Sequence, residues 1–169
     1  MHSNQLSLHR SDVVRLVRGV LPSVAAAEIC LARPMNDELP IVEFAFPGPL
    51  RDSLINAIAS GAKTATSSLM RQYDVSDDPV PSIGYKGAVV DSNGERLFVV
   101  ETISVDVVRL RDVPLQHALD EGEGYASVAE WRAGHARFWT SVELHAELGT
   151  GFELADDTLV VLERFAVVR

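Results

Sequence analysis

The chain has 169 residues, 18.4 kDa, with 47% apolar and 23% charged residues, proportions that exclude a disordered, collagen-like or membrane-embedded protein. At this length one hydrophobic core buries roughly two thirds of the unfolded surface, so a single domain needs no covalent staple. Lys and Arg number 15 against 24 Asp and Glu, a formal net charge of −9, which repels a phosphate backbone at long range and excludes non-specific coating of nucleic acid. A local basic cleft remains compatible, because all the cations except Lys63 and Lys86 are arginines, whose planar fork grips phosphate in two places. Cys30 is the lone cysteine, so no intrachain disulfide and no thiolate zinc cage is available, and a reducing cytoplasm fits best. Arg10, Arg15 and Arg18 interrupt the N-terminal apolar patches; neither a signal-peptide core nor a span of about 20 apolar residues forms, and no membrane association is expected.

In chain order, residues 1–39 read as an N-terminal helical extension. Ser11 or Asp12 caps a helix with Val13, Val14, Val17, Val20 and Leu21 on one stripe, Pro22 stops or bends it, and an Ala-rich piece from Val24 to Ala32 follows. Residues 40–169 form the main domain. Phe46-Pro47-Gly48-Pro49 is an entry turn, after which Leu50, Leu54, Ile55 and Ile58 recur at helical spacing up to Ser60, with Asp52 in the first turn and Gly61 at the end. Tyr73 to Pro81 reads as a loop. Lys86 to Asp91 and Glu95 to Val108 form a β-hairpin across Ser92-Asn93-Gly94, where Asn-Gly suits a type I′ turn. In its second strand Glu101 shares a face with Leu97, Val99, Ile103, Val105 and Val107, and a carboxylate on so apolar a face must find a partner. Ser127 and Glu130 make a capping box for a helix carrying Trp131, His135, Phe138 and Val142, and Thr158 to Val168 is a closing strand buried near its middle.

Three constellations could carry chemistry. Gly61, Lys63 and Thr66, with Thr64 between them and Arg71 beyond, converge an ammonium, hydroxyls and free N–H groups on a small volume suited to an anionic or amide-bearing ligand; the plain alternative is a helix cap followed by solvated polar residues. Glu101 would be poised for proton transfer if Lys63 reached it, and is otherwise half of a structural ion pair. Asp120-Glu121-Gly122-Glu123-Gly124-Tyr125 offers oxygens but lacks calcium-loop spacing, so a solvated acidic loop is the better reading. The histidines show no zinc-protease spacing and no P-loop, nucleophile elbow or dinucleotide-binding glycine pattern is present, so neither metal nor cofactor is expected. Tyr73, Tyr85, Tyr125 and Trp131 could stack on a base, though packing accounts for each equally well.

The order of segments, a helix, GAKTAT at 61–66, a hairpin ending near Glu101, EGEGY at 121–125, WRAGHARFW at 131–139 and VVLERFAVV at 160–168, resembles the ASCH domain family (activating signal cointegrator homology). The resemblance covers about residues 40–169. It implies an α+β fold, a PUA-like β-barrel with flanking helices, whose members bind RNA or a nucleoside- or nucleotide-type ligand in a cleft between barrel and helices. Some members resemble a bacterial amidohydrolase that deacetylates N4-acetylcytidine, and others resemble ribonucleases. Carried over, the amidohydrolase residues are Lys63, Thr66 and Glu101: Thr66 attacks an amide carbonyl, Lys63 takes its proton, and Glu101 orients the lysine or shuttles the proton. Gly61, Thr64, Arg71, Glu123, Tyr125, Trp131 and His135 are the ligand-binding candidates. A non-catalytic interaction module, with the N-terminal stripe packing on a partner or in a dimer, is the remaining class.

Overall fold

The structure is a computed structural model and describes residues 16–17, 39–149 and 151–168. A mixed sheet runs in the order β1-β2-β4-β5-β6-β3: β1 Leu16–Val17, β2 Ile41–Val42, β4 Lys86–Val90, β5 Arg96–Arg109, β6 Leu159–Val168 and β3 Ala65–Leu69. Among the described strands, only the β2–β4 pair is parallel. Strands β2 to β6 make a half-barrel, attended by five helices: α1 Pro49–Ser60, α2 Met70–Ser76, α3 Leu115–Asp120, α4 Val128–Trp139 and α5 Val142–Leu148.

The expected N-terminal helix meets a different outcome where it is described. Leu16 and Val17 pair antiparallel with Val42 and Ile41, covering the edge that short β2 would leave open. The Ala-rich piece, Cys30 and the rest of residues 1–38 lie outside the described residues.

Helix α1 starts at Pro49, whose missing N–H is no loss in a first turn, and ends at Gly61 in the left-handed conformation (φ 80°). Its buried face is Arg51, Leu54, Ile55 and Ile58, while Leu50 is exposed. The helix is rotated from the purely apolar stripe because Arg51 is fully occupied. It pairs with Glu43 at 2.9 Å and donates to the carbonyls of Ala45 and Asp91. Gly48 has no side chain to cap the helix, and the cap comes from the hairpin tip: Ser92 Oγ accepts from Gly48 N–H at 2.9 Å and donates to Asp52 at 2.8 Å.

The β4–β5 hairpin forms as expected, but its turn is not type I′. Asn93 keeps a negative φ, and only Gly94 is left-handed. The Asp91 carboxylate explains the choice, accepting from the N–H groups of Asn93 and Glu95 at 2.8 Å each, so the loop closes as a turn followed by a glycine bulge. Tyr73 to Ser76 belong to helix α2 rather than a loop, and Val142 opens α5 instead of extending α4, because Ser141 caps a new helix through Leu144 N–H. Only half of the expected capping box forms: Ser127 Oγ accepts from Glu130 N–H at 3.2 Å, while the Glu130 carboxylate accepts from Ala126 N–H at 2.8 Å, one residue before the cap, instead of from Ser127 N–H.

Two apolar clusters flank the sheet. Leu69, Leu110, Trp131, Trp139, Leu144, Leu148, Val160 and Leu162 form one beneath α3 to α5; Phe44, Leu54, Ile55, Ile58, Val100 and Phe165 form the other beneath α1. Ser92→Ala removes the one side-chain cap that α1 receives among the described residues, and the expected cost is about 1 kcal/mol in urea unfolding; an unchanged midpoint would refute the remote cap.

Candidate functional site

The turn after α1 and the loop after α3 are zipped together by backbone. Thr64 N–H donates to the Asp120 carbonyl at 2.8 Å and Lys63 N–H to Ala57 at 3.0 Å, while Arg164 pairs with Asp120. Gly122 (φ 63°) permits the approach: a Cβ there would lie 2.2 Å from the Ala62 carbonyl oxygen.

This contact buries Lys63, 2% exposed, against the acidic loop. Its ammonium donates to Glu123 Oε1 at 2.7 Å and to the Glu121 carbonyl at 3.3 Å, with Glu121 Oε2 at 3.6 Å. Glu121 is fully buried. Its Oε1 accepts from Ser67 Oγ at 2.6 Å and Trp131 Nε1 at 2.8 Å, with His117 Nε2 at 3.3 Å, and its Oε2 faces His135 Nε2 at 3.1 Å. Burial by itself would raise this carboxyl, but hydrogen bonds from His117 and His135 and the charges of Lys63 and His135 outweigh it and hold it well below the ordinary range. Glu121, Glu123 and His135 offer ligand atoms within 4.8 Å of one another, the spacing of a cation site, and the cation lodged against them is the Lys63 ammonium.

His135 stacks on Trp131 (centroids 4.4 Å, 27°), and its Nδ1 faces the Trp131 carbonyl at 3.1 Å. Tyr125 lies across Gly134, where an added Cβ would come 2.3 Å from its hydroxyl. The hydroxyl donates to Glu123 Oε2 at 3.4 Å, and its pKa is pushed up to about 12 by burial and by the neighbouring Glu123 and Glu121.

A cleft of about 1080 Å³ opens beside this network, bordered by Lys63, Thr66, Glu123, Tyr125 and His135 together with Ser67, Ser68, Thr102 and Glu163. Alternation turns Thr66 toward Glu163, its partner in register, and Ser67 toward Glu121. Both border the cleft because β3 is the last strand of the sheet.

Of the expected site residues, Lys63, Thr66, Glu123, Tyr125 and His135 border one cleft, Thr66 on the Glu163 side of β3 and Lys63 on the Glu121 side. Glu101 does not. Its register partner is Lys86, and the two form a half-exposed ion pair at 3.3 Å on the outer face. The interior face of this part of β5 is that of Val100 and Thr102, and a register shift between Thr102 and Ser104 changes which residues point inward afterwards. Thr64 holds the Asp120 carbonyl and Gly61 ends α1. Arg71 donates to the Leu148 carbonyl at the end of α5, and Trp131 is buried as a donor to Glu121 rather than open for stacking.

Residues 43–169 match the ASCH domain family. The chain belongs to that family. Its fold is similar to the ASCH domain from Lactobacillus crispatus JV V101, with 29% identity, a TM-score of 0.66, and 75% of this chain and 77% of that one covered. It is also similar to protein EF3133 from Enterococcus faecalis V583, with 27% identity, a TM-score of 0.62, and 70% and 69% covered. No curated protein matches the chain.

Within this ASCH domain the residues that sequence reasoning missed are Glu121, Ser67, His117, Thr102 and Glu163. The nearest signal for Glu121 was the acidic run itself, since three carboxylates within reach of a loop lysine need not all be solvated. No helix of the described residues is long and apolar enough to cross a membrane.

The depressed Glu121 carboxyl ties stability to pH. Its folded pKa lies below the unfolded value near 4.5, so its contribution is complete above that pH and is lost as pH falls through the folded value. Glu121→Gln leaves Lys63 with one compensating carboxylate fewer and should cost about 3 to 5 kcal/mol at pH 7. The deficit should shrink on acidification below pH 4.5, and urea unfolding across pH checks both; a constant deficit would contradict the linkage.

Proposed function

We propose that the cleft binds a nucleoside-type ligand and hydrolyses an amide carried on its base, as in N4-acetylcytidine. The observation that supports this most is that a buried ammonium, held between two glutamates, and the Thr66 side chain border one cleft large enough for such a ligand. Phe44, Tyr85, Tyr125, Phe138 and Phe165 line it as well and offer faces for a heterocycle. The lining also carries Glu43, Asp78, Glu123, Glu143, Glu147 and Glu163 against the cations Lys63 and Arg137. That balance disfavours an RNA strand or a polyphosphate, which would need several compensating cations, and favours a neutral nucleoside.

The chemistry follows from the Lys63–Glu123 contact. A proton passing from Nζ to Glu123 along their 2.7 Å hydrogen bond leaves an amine able to take the Thr66 hydroxyl proton. Thr66 Oγ1 attacks the amide carbonyl, the C–N bond breaks, and the amine leaves with the proton returned through Lys63. Water then cleaves the acyl-threonine ester, releasing the carboxylic acid and restoring the hydroxyl. Glu121 touches neither substrate nor nucleophile and acts by positioning Lys63.

Turnover of N4-acetylcytidine by the full chain tests this. Lys63→Ala and Thr66→Ala should each lower kcat/KM by about 10²- to 10⁴-fold, Glu123→Gln should lower kcat more than it raises KM, and Glu101→Gln should leave both constants unchanged. No turnover by the wild-type protein would end the hydrolytic reading, and a loss on Glu101→Gln would refute the assignment of carboxylates.

A further inference from the structure

Glu163 has no part in the Lys63 network, yet it sits in the same cleft. It lies mid-strand on β6, opposite Thr66 of β3 and Val105 of β5, and is 9% exposed. Its Oε1 accepts from Thr102 Oγ1 at 2.5 Å. Among the described residues no Lys, Arg or His nitrogen lies within 4 Å of its carboxyl oxygens, in contrast to Glu121 and Glu123. Neighbouring Arg164 is spent on Asp120. The neighbouring Tyr73, whose pKa burial pushes up to about 12, spends its hydroxyl on Ser68.

A buried carboxylate without a counter-ion costs folding free energy, and burial accordingly pushes this carboxyl upward. The bond to Thr102 does not require the charge, since a glutamine oxygen would accept it equally well. The fold thus bears an expense for which its own contacts give no return, on the wall of the cleft and directly across from Thr66. A carboxylate offers acceptor sites only, and Thr102 fills one of about four. What completes the set is a neutral or cationic N–H donor; a carbonyl or phosphate oxygen would be repelled.

We propose that Glu163 is the specificity residue of the cleft, accepting a hydrogen bond from an exocyclic N–H of the ligand's heterocycle, so that amino- and acylamino-substituted bases of the cytosine type are selected. This rests on the nucleoside reading of the cleft but not on hydrolysis. It assigns the two ends of the cleft opposite preferences: Lys63 donates to an acceptor on the ligand, and Glu163 accepts from a donor.

Calorimetric titration of the full chain with cytidine and with pyrimidin-2-one riboside, which lacks only the 4-amino group, isolates that N–H, and uridine adds the opposing carbonyl. The wild-type protein should bind cytidine about tenfold more tightly than the deamino analogue and discriminate further against uridine. Glu163→Gln, which keeps the shape and a neutral acceptor, should reduce the ratio, and Glu163→Leu should bring it to about one. The Tm of Glu163→Gln at neutral pH should equal or exceed that of the wild type, whereas a purely structural carboxylate would lower it. Binding of all three nucleosides without a ratio, or a ratio surviving in Glu163→Leu, overturns the inference and leaves the nucleoside reading standing. If none binds at millimolar concentration, the nucleoside reading falls and the inference with it.

Discussion

The Glu121 carboxylate gathers polar partners from four separate pieces of chain: Ser67 of β3, His117 of α3, Trp131 and His135 of α4, and, as an ion pair at 3.6 Å, Lys63 of the turn after α1. An unaccompanied charge in so enclosed a place would be prohibitive, and each donor that relieves it is also a fixed distance between two elements. The position of helix α4 against the sheet, the depth of Lys63 and the stacking of His135 on Trp131 follow from satisfying one residue. Electrostatics at this point sets geometry, and the apolar clusters fill in around it.

The cleft exists because the two clusters do not merge. Their boundary runs along strand positions occupied by Thr66, Ser67, Ser68, Thr102 and Glu163, side chains too short or too polar to close the gap. Strand β3 shows the same logic in miniature: Ala65 and Leu69 are buried at its ends, while the three hydroxyl residues between them are half-exposed. A sheet of uniform Val and Ile here would pack shut.

Elements marked by strong local chemistry were readable from the sequence: α1 between Pro49 and Gly61, the Ser127 cap of α4, the hairpin and the closing strand. Strand β3 was not, since Ala-Thr-Ser-Ser-Leu has neither alternation nor branched apolar residues to declare it; its polar middle answers to the cleft and not to the core. Within the candidate site, Lys63 and Thr66 were legible because they are near each other in sequence. The carboxylate partner was placed at Glu101 by the family resemblance and by an alternation read without knowing which face was inward, and a side chain's face in a strand is fixed only by what packs on it. Glu121 arrives from 58 residues away, and that proximity is a property of loop packing that no local pattern encodes.

The remote cap of α1 has a consequence for the order in which the protein assembles. The helix spans 12 residues, short enough to fray on its own in water, and the hydroxyl that ties down its first turn lies 44 residues later in the chain. During synthesis α1 leaves the ribosome well before the hairpin tip has been made, so its amino end stays loose until β4 and β5 have been translated and have closed. The Phe46-to-Gly48 entry turn and the first turn of α1 thus gain their Ser92 contacts only once the hairpin has closed.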